Sequence, residues 1–151
     1  MSGENFQTPT DIRTAIAQTP VLYTNGLSGG ISAPFFPNFI SLFGTNSVSS
    51  PDNTRVESPA PTNLILQNAF ISVISNNSQV DIIIEVAIDG VAPPADNSLK
   101  LLIPAQTGGI FKNDIDKMNV KRGEKLSWIV STGSVGQLES ISHIGVEAIP
   151  T

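Results

Sequence analysis

Few residues in this chain are of types that do chemistry. His143 is the single histidine and there is no cysteine, which removes thiolate nucleophiles, thiolate metal sites and disulfides together. A catalytic His143 would need a serine nucleophile and a carboxylate to orient the ring. The chain has no G-x-S-x-G phrase, and its many serines match such an arrangement only by chance. Parity sets His143 with Glu139, Ile141 and Glu147, opposite Leu138, Ile144 and Val146, on the less buried side of a strand. A solvated or subunit-facing histidine is therefore expected, with metal binding or pH sensing as the alternative. Asp114 and Asp116 form a D-x-D pair whose hard oxygens could serve calcium, as could Asp96 with Asn97. Without a D-x-[DN]-x-[DN]-G loop, and with Lys112 and Lys117 alongside, the simpler reading is a solvated turn. A glycosidase needs two carboxylates set across a cleft. Asp81, Glu85 and Asp89 instead alternate along one strand, as an outward or subunit-facing row. Gly29-Gly30 and Gly108-Gly109 lack the strand-then-helix context of a phosphate cradle and read as bends. Trp128 alternates with Leu126 and Val130 and reads as core, although it or Tyr23 could stack on a sugar. The expectation is a protein with no catalytic residues, no metal and no cofactor.

The elements that would carry these residues are strands. In VDIIIEVAIDG, from Val80 to Gly90, Val80, Ile82, Ile84, Val86 and Ile88 fall on one side and Asp81, Ile83, Glu85, Ala87 and Asp89 on the other. Similar patterns predict strands near Asn53–Glu57, Asn63–Ile74, Val80–Asp89, Ser98–Pro104, Ile110–Asn113, Met118–Lys121, Lys125–Thr132 and Gln137–Ile149. The connectors SNNSQ, GVAPPADN, AQTGG, KRGE and TGSVG are rich in turn residues. About eight strands at this spacing predict an all-β, antiparallel jelly-roll sandwich. At 151 residues such a domain has a sizeable core without staples.

The amino-terminal third differs in composition. No charged residue occurs between Arg13 and Asp52, and APFFPNFISLFG puts Phe35, Phe36, Phe39 and Phe43 within nine residues. A disordered tail would be charged and poor in aromatics. Two readings stay open: Phe39 to Phe43 is the first core strand, or residues 1–50 form an extended arm that packs on a neighbouring copy or a host assembly, ahead of a β-domain over 51–151. On the second reading Tyr23, Phe35, Phe36, Phe39 and Phe43 are the contact residues. DIRTAIAQ, residues 11–18, could make one or two helical turns before Pro20.

The net charge of -5 argues against duplex nucleic acid, because the only basic cluster, Lys117, Lys121, Arg122 and Lys125, is interleaved with Asp114, Asp116 and Glu124. No apolar run reaches the roughly 18 residues of a membrane span. MSGENFQTPTDIR lacks the basic-then-apolar order of a secretory signal, so synthesis in the cytoplasm is expected.

Three phrases in succession carry a family likeness: ESPAPTNLILQNAFISVISNNSQVDIIIEVAIDGV, LKLLIPAQTGGIFKND and MNVKRGEKLSWIVSTG. Over about residues 54–149 the chain resembles the small jelly-roll domains of tailed-bacteriophage virion proteins. These include capsid decoration proteins, head fibres and the knobs of tail fibres or needles, similar in shape to the trimeric tumour necrosis factor and C1q-like fold. In such domains I-D-G closes a strand in a hairpin-type turn, and G-E-K-L-S-W leads from a glycine turn into a buried strand. The resemblance implies a homotrimer attached to a capsid or tail through its N-terminal segment. Its partners would be its own copies and the major capsid protein or another virion protein, and its location the virion, assembled in the host cytoplasm. The expected function is a non-enzymatic decoration or cement protein on a phage head. The alternative is a receptor- or carbohydrate-binding knob that uses loops such as Gly90–Asn97 and Thr132–Gln137.

Overall fold

The computed structural model describes residues 19–25, 31–32, 38–42, 50, 52, 54, 56–131 and 137–151, with backbone alone for 25, 31–32 and 137–142. The elements are β1 (Val21–Asn25), β2 (Ile31–Ser32), β3 (Asn38–Ser41), β4 (Ser58–Pro59), β5 (Leu64–Asn76), β6 (Ile82–Ile88), β7 (Lys100–Ile103), β8 (Gly109–Asn113), β9 (Met118–Val120), β10 (Lys125–Ser131) and β11 (Gln137–Pro150). A 3-10 turn covers Ala95–Asn97. The helical turns expected over residues 11–18 lie outside the described residues.

All the pairings are antiparallel and build two sheets. In sheet I, β11 and β5 are central; β1 and β2 run along the free side of β11, and β8 and β9 along the free side of β5. In sheet II, β10 and β6 are central, flanked by β3 with β4 on one side and by β7 on the other. When β1 with β2, β3 with β4 and β8 with β9 are each taken as one column, there are eight columns. The first pairs with the last, the second with the seventh, the third with the sixth and the fourth with the fifth. That is a two-stranded ribbon rolled into a sandwich, the pairing of a jelly roll.

The core lies between the sheets. Leu64, Leu66, Ala69, Ile71 and Val73 of β5 and Ile144, Val146 and Ala148 of β11 face Ile82, Ile84 and Val86 of β6 and Leu126, Trp128 and Val130 of β10, all buried in one cluster. Trp128 sits in the core as its parity requires. β-branched residues dominate β6, and their stiff side chains pack well on a pleated surface. The outer columns carry the devices that keep edges from pairing with other chains: Pro59 in β4, Lys100 in β7 and Lys112 in β8.

Local chemistry sets the turns. Asp89 (φ 51°) and Gly90 (φ 75°) both adopt positive φ between Ile88 and Val91, whose backbones exchange two hydrogen bonds of 3.0 Å. This is the two-residue hairpin expected of I-D-G. Gly123 (φ 89°) opens the way into β10, as G-E-K-L-S-W implied. Of the strand expected at Asn53–Glu57, the described residues Thr54, Val56 and Glu57 form none: Thr54 is in 3-10 conformation, Val56 in a turn, and the short β4 follows at Ser58. The cause is Asp52, whose Oδ1 accepts from Thr54 N at 3.0 Å and Thr54 Oγ1 at 2.7 Å, bending the chain where a ladder would need it extended.

The described parts of the charge-free segment supply an outer column to each sheet. β1 pairs with β11 from Val21↔Ala148 to Asn25↔Ile144, and β3 pairs with β10 from Asn38↔Val130 to Ser41↔Ser127. Beyond β3, Phe39 exchanges two backbone hydrogen bonds with Ser50, at 2.7 and 2.8 Å.

Candidate interaction surface

The residues singled out for catalytic potential are spread over both sheets. His143 is exposed on the outer face of sheet I, opposite Ser72 of β5. Asp81 and Asp89 are exposed at the two ends of β6 in sheet II. Glu85, between them on the same outward parity, is not solvated: it is 7% exposed, and its Oε2 lies 3.4 Å from Nζ of Lys100, its directly opposite neighbour on β7. Asp116 of the D-x-D pair is held by Asn113, whose Nδ2 donates to Asp116 Oδ2 at 2.8 Å. Among the described residues, no three His, Cys, Asp or Glu side chains converge as metal ligands. No helix of the described residues is long and apolar enough to cross a membrane.

The aromatic contact residues are divided. Tyr23 lies on the inward side of β1, opposite Val146, and packs against the core cluster. Phe39 lies opposite Ile129 of β10 and is 6% exposed within the chain. Phe35, Phe36 and Phe43 lie outside the described residues.

The two outer faces of the sandwich differ. That of sheet II is buried around Phe39, Ser41, Glu85, Ala87 and Ser127, and exposes Ile83 and Leu102, opposite each other on β6 and β7. That of sheet I carries exposed apolar side chains: Leu22 of β1 at 57%, Ile110 of β8 at 67%, and Ile74 near the end of β5. Single exposed apolar residues are ordinary, whereas several on one sheet face mark a place of contact. Between Leu22 and Ile110 runs a groove of about 510 Å³, floored by Phe70 and bordered by Asn68, Lys112, Asp114 and Glu147.

A β-bulge builds this groove. Gln67 pairs with Glu147 and Phe70 with Gly145, so Asn68 and Ala69 together oppose Val146. Asn68 takes φ 51°, a left-handed conformation that asparagine tolerates better than most residues. The extra residue reverses the parity of the strand. Leu64 and Leu66 point inward, then Ala69, Ile71 and Val73, and Phe70 turns to the outer face. Opposite it, Gly145 leaves room for the ring: a Cβ there would stand 2.6 Å from Phe70 Cε1 and 2.8 Å from the Tyr23 carbonyl oxygen.

The bulge also positions a carboxylate. Glu147 Oε2 accepts from Asn68 Nδ2 at 2.7 Å and from Gln67 Nε2 at 3.4 Å, which holds its side chain at the groove wall. Lys112, directly opposite Phe70 on β8, is the cation of the groove. The surface is thus an apolar floor with one fixed anion, one flexible cation and Asp114 at its margin. Such a surface can bury an apolar side chain and pair charges around it.

Sequence reasoning named Tyr23 in this region and missed Leu22, Phe70 and Ile110. The signal for Phe70 was Gln67-Asn68, two polar residues in succession that break the alternation of a strand. Neither a family model, nor a curated protein, nor a solved structure matches the chain.

Proposed function

We propose that the protein is a non-enzymatic structural component of a phage virion, a homotrimeric decoration protein that docks on the head and reinforces the shell. The observation that carries the assembly part of this reading is the outer face of sheet I, where exposed Leu22 and Ile110 stand around one groove floored by Phe70. Burial of such a face against another chain stabilises at roughly 25 cal/mol per Å² before ordering costs are subtracted. The virion and the head as its location follow from the likeness of the three sequence phrases to phage jelly-roll domains.

Two measurements test the reading. Sedimentation equilibrium of the full chain is expected to return three times the chain mass of 15.9 kDa. A monomer at tens of micromolar removes the trimer. Immunogold labelling of particles from the host that makes the protein is expected to decorate heads, and unlabelled particles remove the virion role. Deleting residues 1–18 tests the first part of the expected 1–50 docking arm without touching a described strand, since β1 and β3 are ladder partners of β11 and β10. Loss of head binding with the fold kept is the expected outcome.

A further inference from the structure

Three side chains of the sheet I groove share a chemistry that docking does not use. Lys112, Asn68 and Glu147 all border it. Asn68 and Glu147 are already in contact, the amide Nδ2 donating to Oε2 at 2.7 Å in a half-buried setting. Lys112 of β8 lies opposite Phe70, and Asn68 precedes Phe70 by two residues on β5. Diagonal neighbours of this kind stand about 7–8 Å apart across a ladder, within reach of a flexible four-carbon stem. The bulge is what makes them neighbours. Regular alternation from the inward Leu64 and Leu66 would turn Asn68 into the core, whereas the bulge sets it on the groove with Phe70. Its φ of 51° is a cost for a residue other than glycine, and backbone strain of this sort gathers at functional sites.

A primary amine, a carboxamide and a carboxylate are the parts of an amide exchange. The amine nitrogen attacks the amide carbon, the carboxylate takes the proton of the amine and passes it to the departing nitrogen, and ammonia leaves. Atoms and charge balance with no oxidant, reductant or co-reactant. Of the two groove carboxylates, Glu147 is the one bonded to the nitrogen that departs, and Gln67 Nε2 holds the same oxygen at 3.4 Å. Attack by an amine tethered on the neighbouring strand is intramolecular, which favours it over attack by water.

We propose that Lys112 Nζ and Asn68 Cγ join in an isopeptide bond, with Glu147 as the proton carrier and ammonia as the product. The bond forms once per chain, so it is a self-modification compatible with a structural role, and it depends on neither the homotrimer nor the virion. It ties β5 to β8 covalently across their ladder.

Intact-mass spectrometry of the full chain, held for days at mildly alkaline pH, is expected to show a loss of about 17 Da, the mass of ammonia. Trypsin then fails to cut after Lys112 and releases a branched product of residues 56–100 and 101–117. Lys112→Arg keeps the charge at an exposed position and removes the nucleophile; wild-type circular dichroism and no branched product are expected. Glu147→Gln is expected to slow formation about tenfold or more. A wild type without the branched product overturns the proposal, whether its mass is unchanged or raised by about 1 Da through hydrolysis of an asparagine. A loss of ammonia that survives equally in Lys112→Arg overturns it too, because that loss belongs to ring closure of an asparagine on its own backbone. A wild-type rate in Glu147→Gln overturns the part given to the carboxylate.

Discussion

Three positions show how single residues decide the shape of the sheet I face. At Gly145 any side chain meets the Phe70 ring, which can shift, and the Tyr23 carbonyl oxygen, which belongs to a ladder and cannot. Gly145→Ala is expected to cost about 1–3 kcal/mol in urea unfolding, as overpacked sites do. At Asn68 the left-handed backbone and the amide contact to Glu147 are separable. Asn68→Gly keeps the backbone at ease and loses the amide, whereas Asn68→Ala loses both. Alanine is expected to be the worse of the two by about 1 kcal/mol, and equal stabilities would mean the bulge carries no strain. In sheet II, Ser127 Oγ is buried without a hydrogen-bond partner among the described residues. Ser127→Ala removes an unpaired polar atom and is expected to raise stability by up to about 1 kcal/mol; a loss of that size would reveal a bonded hydroxyl.

At the scale of elements, the hairpin joining β6 to Val91 depends on two positive φ values. Gly90→Ala is expected to lower stability by about 1 kcal/mol, while Asp89→Asn, which favours the same turn, leaves it unchanged or higher in thermal unfolding. How legible the elements were in the sequence follows from their regularity. Ile82 to Ile88 pairs on both sides without a register shift, so its inward and outward sides could be counted. Counting along β5 from Leu64 by twos puts Phe70 inward, and only the bulge at Asn68 turns it out. In VLYTN both parities are apolar at Leu22 and Tyr23, so alternation could not say which faced water. Ile115 lies in a loop, where no periodicity applies. The catalytic candidates fall on separate elements, His143 in β11, Asp81 before β6 and Asp114 in the loop after β8. Glu85 was misplaced for another reason: outward parity predicts solvent only where the outer face is bare.

For the molecule as a whole, the two outer faces differ in how far they are buried. Sheet II keeps an ion pair, Glu85 with Lys100, beside buried neighbours. Lys100→Met strands a carboxylate away from water and is expected to cost about 1–2 kcal/mol, between the values of surface and fully buried pairs because Lys100 itself is half exposed. The double variant with Glu85→Met is expected to recover part of that loss in a denaturant cycle, and strict additivity would deny the coupling. The rolled-ribbon pairing also has a consequence in time. Val21 pairs with Ala148, so a strand made early in synthesis waits for one made near the end, and its apolar side chains stay uncovered until then. Ladders between such distant residues close slowly, and an unclosed edge of this kind recruits other chains. The lack of charge from Arg13 to Asp52 leaves β1 without the repulsion that would hold those chains off. Refolding yield should therefore fall steeply with protein concentration, and the same charge-free strand that completes the fold is where misassembly begins.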